Sequence, residues 1–365
     1  MKISAIIEHL EAIAPAPLQE SYDNAGLITG NDSWECSGIL LCLDAIENVL
    51  QEAIEKKCNL VIAHHPILFR AIKKITGSDY VQKVLITAIK HDIAIYAIHT
   101  NLDNVISGVS GKMAEMLGLQ NVRLLSPKEG TLAKLYTFVP IESAEEVRKA
   151  IFHAGGGNIG NYSECSFNSE GKGTFTAKAG ADPYIGEVGK PTTTNEIKME
   201  VVFPFYLKGL VVDAMLRAHP YEEVAYDVIR LENYYQAVGS GVLGLLPEPM
   251  QEEDFLYHLK QKFNLALIRH TPLCGKRVKK VALCGGSGSF LVSKVLQSGA
   301  DFYITADVKY HEFFDANGRM VIADIGHYES EQFTTDLLHQ ILVEKFPTFA
   351  VLKSGIITNP VNYYF

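Results

Sequence analysis

The sequence predicts an α/β protein in which a two-part α/β domain is split by an inserted ferredoxin-like α+β domain. Three observations carry this. Short apolar runs alternate with helical periodicity at both ends of the 365-residue chain. The residues just after those runs are His, Asp and Asn rather than more apolar residues. Between about Ser126 and Leu246 the pattern changes to two strand–helix–strand units in succession. The expected parts are residues 1–125, 126–246 and 247–365.

The first apolar run is Gly38 to Leu43, followed by Asp44 and a helical pattern over Ala45 to Lys57. Leu60 to Ala63 is again continuously apolar, as a strand covered on both faces must be, and it ends at His64-His65-Pro66, where proline stops the ladder. Asp79 to Lys90 has helical spacing, Ile93 to Ile98 is the next strand, and His99-Thr100-Asn101-Leu102-Asp103 leaves it. In the middle part, Leu135 to Val139, Ile197 to Phe203 and Val224 to Arg230 read as strands, with helices over Ala144 to Ala154 and Tyr206 to Ala218. The Gly, Thr and Lys-rich stretch from Ser169 to Asn195 reads as a long hairpin or loop. The last third repeats the opening pattern. Lys280 to Cys284, Asp301 to Thr305 and Met320 to Ile325 are strands, Phe290 to Ser298 is a helix, and Tyr328 to Phe346 reads as one long amphipathic helix. Polar groups again gather at strand exits, the edge where open α/β sheets bind ligands.

With 47% hydrophobic and 21% charged residues the chain has ample material for a core and no disordered profile. A formal charge of −9 disfavours loose association with nucleic acid or anionic membrane. The six cysteines are scattered without a CxxC pair, which argues against a thiolate zinc site and for reduced thiols. No apolar run is long enough to cross a bilayer, and Met1 to Leu10 is amphipathic rather than a secretory segment. The cytoplasm is the simplest address.

His64 and His65 are the most informative pair. Neighbours on a regular strand point to opposite faces, so either the backbone turns there or each histidine serves a different metal. His327 and Glu331 are four residues apart at a helix start and rise from one face. With Asp103 these make three imidazoles and two carboxylates, a nitrogen and oxygen set suited to zinc, manganese or iron. Each residue also has a plainer reading. Asp103 could cap a helix from Val105 onward, Glu331 could simply complement a helix dipole, and a lone strand-end histidine could be structural. Gly285-Gly286-Ser287-Gly288-Ser289 could cradle a phosphate through Gly286, Ser287 and Gly288, or form a tight turn capped by Ser289. Tyr22, Asp23 and Asn24 could contact a ligand or make an ordinary Asx-turn. His99, Asp307 and His311 are candidates for proton transfer.

Taken in order, Ser21-Tyr22-Asp23-Asn24-Ala25-Gly26-Leu27, His64-His65-Pro66, His99-Thr100-Asn101-Leu102-Asp103, Gly285-Gly286-Ser287-Gly288 and Gly326-His327 with Glu331 resemble the GTP cyclohydrolase type-two homologues. These are also called the NGG-one-interacting-factor-three-like proteins. The resemblance spans nearly the whole chain. It implies a dinuclear centre of two divalent ions (Zn, Mn or Fe) held by His64, His65, Asp103, His327 and Glu331, with Asp103 bridging. It also implies a toroidal homohexamer with the metal sites facing an interior cavity. The middle part, with His219-Pro220-Tyr221-Glu222-Glu223, looks like a trimer-forming domain similar to nitrogen-regulatory and copper-tolerance proteins. Ala306 departs from the family pattern, where glycine is usual.

The function expected on these grounds is metal-dependent hydrolysis of a nucleotide or related small phosphorylated compound. A metal-bearing scaffold or regulator, sensing a ligand or partner through the middle domain, is the alternative from another class.

Overall fold

The fully apolar runs become central strands. Ile39–Asp44, Leu60–His65 and Ala94–Ala97 are buried along almost their whole length and pair in parallel. The computed structural model describes residues 1–364, which form two compact units, residues 1–126 with 237–364 and residues 127–236.

The larger unit contains two sheets. In the five-stranded sheet the order is Gly26–Thr29, Ala94–Ala97, Leu60–His65, Ile39–Asp44, Val351–Lys353, all parallel except the edge strand Gly26–Thr29. The six-stranded sheet runs Arg269–His270, Val321–Asp324, Phe302–Ala306, Arg277–Ser287, Gly239–Gln251, Gln120–Pro127. Its three central strands are parallel and Gly239–Gln251 is antiparallel to Arg277–Ser287. The halves of the sequence are interleaved. The C-terminal strand Val351–Lys353 completes the N-terminal sheet, and Gln120–Pro127 joins the C-terminal one. Met113, Ala114 and Leu117 of the N-terminal half share a core with Val281, Phe302 and Ile304 of the other.

Two sequence-based boundaries change. The strand expected over Lys280 to Cys284 runs through the glycines as Arg277–Ser287. The long helix expected from Tyr328 to Phe346 is two helices, His327–Glu331 and Thr334–Lys345. At the break the Thr335 hydroxyl donates to the Gln332 carbonyl at 3.0 Å, a side-chain bond of the kind that competes with the helical ladder.

The smaller unit has the order strand, helix, strand, strand, helix, strand: Leu132–Pro140, Ala144–His153, Phe167–Thr176, Pro191–Pro204, Lys208–Ala218, Tyr226–Arg230. Its antiparallel sheet runs Phe167–Thr176, Pro191–Pro204, Leu132–Pro140, Tyr226–Arg230. Both helices pack Val147, Ile151, Val211 and Met215 against Leu135, Val201 and Phe203. The Gly and Lys-rich stretch is a hairpin, beside which a cavity of about 740 Å3 opens. The unit ends at Gln236, not at the expected Leu246, because residues from Gly239 pair in the six-stranded sheet.

Candidate metal centre

Four strand exits of the larger unit deliver the polar residues to one place. Leu60–His65 ends in the histidine pair, and its parallel register sets Asp44 beside His65. Ala94–Ala97 leads to His99 and the short helix Thr100–Asp103, whose first amide, Thr100 N–H, donates to Asp23 at 3.0 Å. Phe302–Ala306 ends at Asp307, and Val321–Asp324 leads into the helix that carries His327 and Glu331.

Every imidazole is held at Nδ1 by an acceptor. The His64 Nδ1–H donates to the Ile98 carbonyl at 2.8 Å. His65 meets Asp44 at 2.8 Å, His327 meets Asp307 at 2.6 Å and His99 meets Asp23 at 2.8 Å. A carbonyl or an ionised carboxylate can only accept, so Nδ1 carries a proton in each ring and Nε2 is the atom that can give up its proton and offer a lone pair to a cation. Second-sphere acceptors of this kind orient metal-ligating histidines. The free Nε2 atoms of three of the rings converge on Glu331 Oε2, at 2.9 Å for His65, 3.1 Å for His327 and 3.9 Å for His64. His65 and His327 Nε2 are 3.4 Å apart.

Without a cation this is an electrostatically frustrated arrangement. Burial opposes charge on His65 and His327, but their hydrogen bonds to Asp44 and Asp307, and to Glu331, outweigh it and raise them to about 9 and about 11. Burial, reinforced by the Glu331 charge, pushes Asp103 up to about 7. Glu331 is the more buried of the two, yet hydrogen bonds from the surrounding imidazoles hold it well below the usual carboxylate range. Asp23, Asp44 and Asp307 are likewise held low by their histidine partners, Asp23 and Asp44 against the cost of burial.

The residues fit a divalent ion. His64 Nε2 and Asp103 Oδ1 are both buried, lack a hydrogen-bond partner among the described residues and stand 3.7 Å apart. Buried polar atoms are seldom left so, and a cation between them satisfies both. Around His65, His327 and Glu331 the 2.9–3.4 Å separations match the edge of roughly 3.3 Å that bonds of about 2.0–2.1 Å make in a tetrahedron. Ligand atoms within 4.8 Å of one another fall into the groups His65, His327, Glu331; His64, Asp103, Glu331; and His64, His65, His99.

A profile of the Duf34/NIF3 (NGG1p interacting factor 3) family matches residues 1–360. The chain belongs to this family. Among similar NIF3-family proteins, "GTP cyclohydrolase 1 type 2 homolog" of Bacillus subtilis is 39% identical over 364 residues, covering 98% of this chain and 97% of the relative. The protein of the same name from Halalkalibacterium halodurans is 37% identical over the full length of both. The crystal structure of a Bacillus cereus protein related to NIF3 superposes with a TM-score of 0.86 at 37% identity, covering 100% of this chain and 99% of the other. The mixed α/β architecture with several sheets is therefore the NIF3 fold.

Within this NIF3-family chain, His64, His65, Asp103, His327 and Glu331 are brought together. The residue common to the first two groups is Glu331, whereas the resemblance implied a bridge at Asp103. Glu331 holds the central place because one helical turn from His327 carries its carboxylate into the buried space between the imidazoles. Asp103 is not a helix cap, since the following helix Val109–Met116 begins at Gly108.

Three other expectations change. The amides of Gly285 and Gly286 are taken by the Ser110 and Ser330 hydroxyls, Ser287 still pairs with Ala306 in the sheet, and the Gly288 carbonyl accepts from Tyr303, so the glycine run is not an open phosphate cradle. Its use is close approach: Gly286 has φ 62°, and a Cβ there would collide with Glu331 Oε1. Asp307 is tied to His327 and positions it. His311 is exposed, with its ring against Tyr310 and Phe314.

Of the loop residues, Asp23 anchors His99 and Thr100 while Tyr22, Asp23 and Asn24 line an open cavity of about 540 Å3 with Phe69 and Arg70. The Ala306 departure is accommodated because the left-handed turn falls on Asp307, φ 56°, a residue type that tolerates it. Sequence reasoning missed Asp44 as a partner of His65. Its position at the end of the neighbouring strand, like that of the histidine pair, was the available signal.

Proposed function

We propose that this protein is a dinuclear metal-dependent hydrolase of a nucleotide or related small phosphorylated compound. One ion would lie among His64, Asp103 and Glu331, the other among His65, His327 and Glu331. The observation that carries the reading is the set of imidazoles, each fixed at Nδ1, whose Nε2 atoms face the Asp103 and Glu331 carboxylates, with His64 Nε2 and Asp103 Oδ1 left without a hydrogen-bond partner among the described residues. Two divalent ions supply Lewis acidity and bring the pKa of water towards neutrality. His99, fixed by Asp23, lies with its ring centroid 5.3 Å from those of His64 and His65 and would move the proton. Arg70, at the cavity beside it, would meet phosphate. The names of the relatives support a purine nucleotide such as GTP as the first substrate to try.

The resemblance adds a toroidal homohexamer in which the middle unit, read as a ferredoxin-like module, forms trimers; light scattering tests it, with six chains of 40.3 kDa expected. A second reading, a metal-bearing regulator, is favoured by the cavity in the middle unit.

Metal analysis of the purified protein, combined with turnover of a nucleotide panel under Mn, Zn and Fe, tests the proposal. Two ions per chain, and turnover that tracks occupancy and is lost in His64→Ala and Glu331→Ala, are expected. Full occupancy with no turnover of any nucleotide points to the regulator, and absence of metal from freshly purified and reconstituted protein sinks both.

A further inference from the structure

The cavity of about 740 Å3 in the middle unit is walled by Phe175, Tyr184 and Tyr221. Tyr221 stands 6.2 Å from Tyr184 at 54° and 6.3 Å from Phe175 at 59°. The rings are tilted to one another as walls of a box, not stacked. On the floor lies Glu196, 8% exposed. Its Oε1 accepts the Tyr221 hydroxyl at 2.8 Å, and Gly173 on the neighbouring strand makes room for it, since a Cβ there would collide with the carboxyl group.

Buried carboxylates are normally matched by a cation, and the described residues around Glu196 do not provide one. Lys198, two residues along the strand, is engaged with Glu200 at 2.9 Å and lies 4.5 Å over the Tyr136 ring. His219, whose ring is 5.0 Å from Tyr221, is neutral by its bonding. Its Nε2–H donates to the Phe138 carbonyl at 3.0 Å, while Nδ1 accepts the Tyr221 amide at 3.1 Å and has no place for a second proton. Lys172 is on the exposed edge strand, and Glu170, Glu222 and Glu223 at the rim outnumber it.

We infer that this cavity binds a small organic cation bearing an ammonium group, held by the aromatic walls and by Glu196. The faces of aromatic rings attract cations electrostatically, most strongly when water is excluded, and a buried carboxylate at the end of such a box adds the complementary charge. The site is separate from the metal centre and stands whichever reading of that centre holds.

Titration calorimetry on the full-length protein tests this with choline, phenethylamine and spermidine as probes. The uncharged choline isostere 3,3-dimethyl-1-butanol is the control. Saturable binding of at least one cation at one site per chain is expected, with the neutral isostere weaker by at least about tenfold. Glu196→Gln and Tyr184→Ala should each weaken binding by about tenfold or more, and His64→Ala should leave it unchanged. Tyr184 is half exposed, so its truncation keeps the test valid if Glu196→Gln disturbs folding. No saturable binding of any of the three cations, equal binding of the neutral isostere, or wild-type affinity in both cavity variants would overturn the inference.

Discussion

His64 and His327 present the same atom to the same carboxylate, yet one is wholly buried and the other leaves 39% of its side chain exposed. The difference lies in what holds each ring. His64 is fixed by a main-chain carbonyl at the exit of a neighbouring central strand, so its position is that of the sheet itself. His327 is fixed by Asp307, a side chain half exposed on a left-handed turn. The N-terminal strands thus supply a rigid seat, and the short helix His327–Glu331 supplies the side that faces solvent. Glu331 belongs to both, since it rides on the solvent-facing side's helix but is itself buried.

The sharpest way to break this arrangement is to push Glu331 out of its seat. Gly286→Ala places a methyl group against Glu331 Oε1 at a backbone φ of 62°. Metal binding should be lost on metal analysis, and stability should fall by at least about 1 kcal/mol because alanine is strained there. Gly118→Ala is the matched control. Its φ is 65° but nothing lies within 4 Å of the added Cβ. It should show the backbone cost and keep its metal; equal metal loss in the two variants would refute the steric account.

The second way is to loosen each ring from behind. Asp44→Asn and Asp307→Asn remove the carboxylates at Nδ1 of His65 and His327, and outer partners of this kind are worth about 10–100-fold in metal affinity. Asp44 is also tied to the Thr358 hydroxyl at 2.6 Å, whereas Asp307 leaves half of its side chain exposed. The loss should therefore be greater for Asp44, as read by competition with a chromophoric chelator. The reverse order would contradict the division into rigid and open sides.

A smaller effect separates the metal-free and metal-loaded forms by pH. His65 is raised to about 9 and His327 to about 11 in the fold, against about 6.5 in an unfolded chain. Their contribution to stability is complete below about 6.5 and is lost as pH rises through those values. Asp103, raised to about 7 from an unfolded value near 3.9, acts in the same direction, its contribution lost as pH climbs to 7. The carboxylates held low contribute above their unfolded values and are constant here. The Tm of metal-free protein should accordingly fall from pH 6 to 9. Metal-loaded protein should gain over the same range, because binding requires unprotonated Nε2. Parallel slopes would count against ligation through these rings.

Much of this was legible because a covered parallel strand must be apolar, so the first polar residue after it marks the sheet edge. That rule located His64, His65, His99, Asp307 and His327 without a structure. It did not reveal roles, since Asp44 and Asp307 obey the same rule yet stand behind histidines. The glycines after Cys284 read as a loop because Gly is a turn former. In fact Gly285 and Gly286 continue the strand, and the missing side chain at Gly286 makes room for Glu331, a long-range steric demand with no local signature. The helix break after Glu331 was hidden for a similar reason, since periodicity runs on through Gln332 and Phe333 while the first ladder ends at the Gln332 amide and the second begins at the Phe333 carbonyl.

The C-terminal segment supplies the finest test of the rigid side. Thr358 donates to Asp44 Oδ2, and Asn359 and the Tyr363 hydroxyl both donate to Glu329 Oε1, at 3.0 and 3.2 Å. Asp44 thus receives a hydroxyl on one oxygen while its other oxygen holds His65. Thr358→Val keeps the shape and removes only that hydroxyl, so Asp44 keeps its charge but loses one restraint. Metal affinity should fall by less than about tenfold, below the range for removing the carboxylate itself. Thr358→Ser should restore it, since it returns the donor without the methyl group. If valine and serine behave alike, the segment contributes by covering the site and not by aiming Asp44.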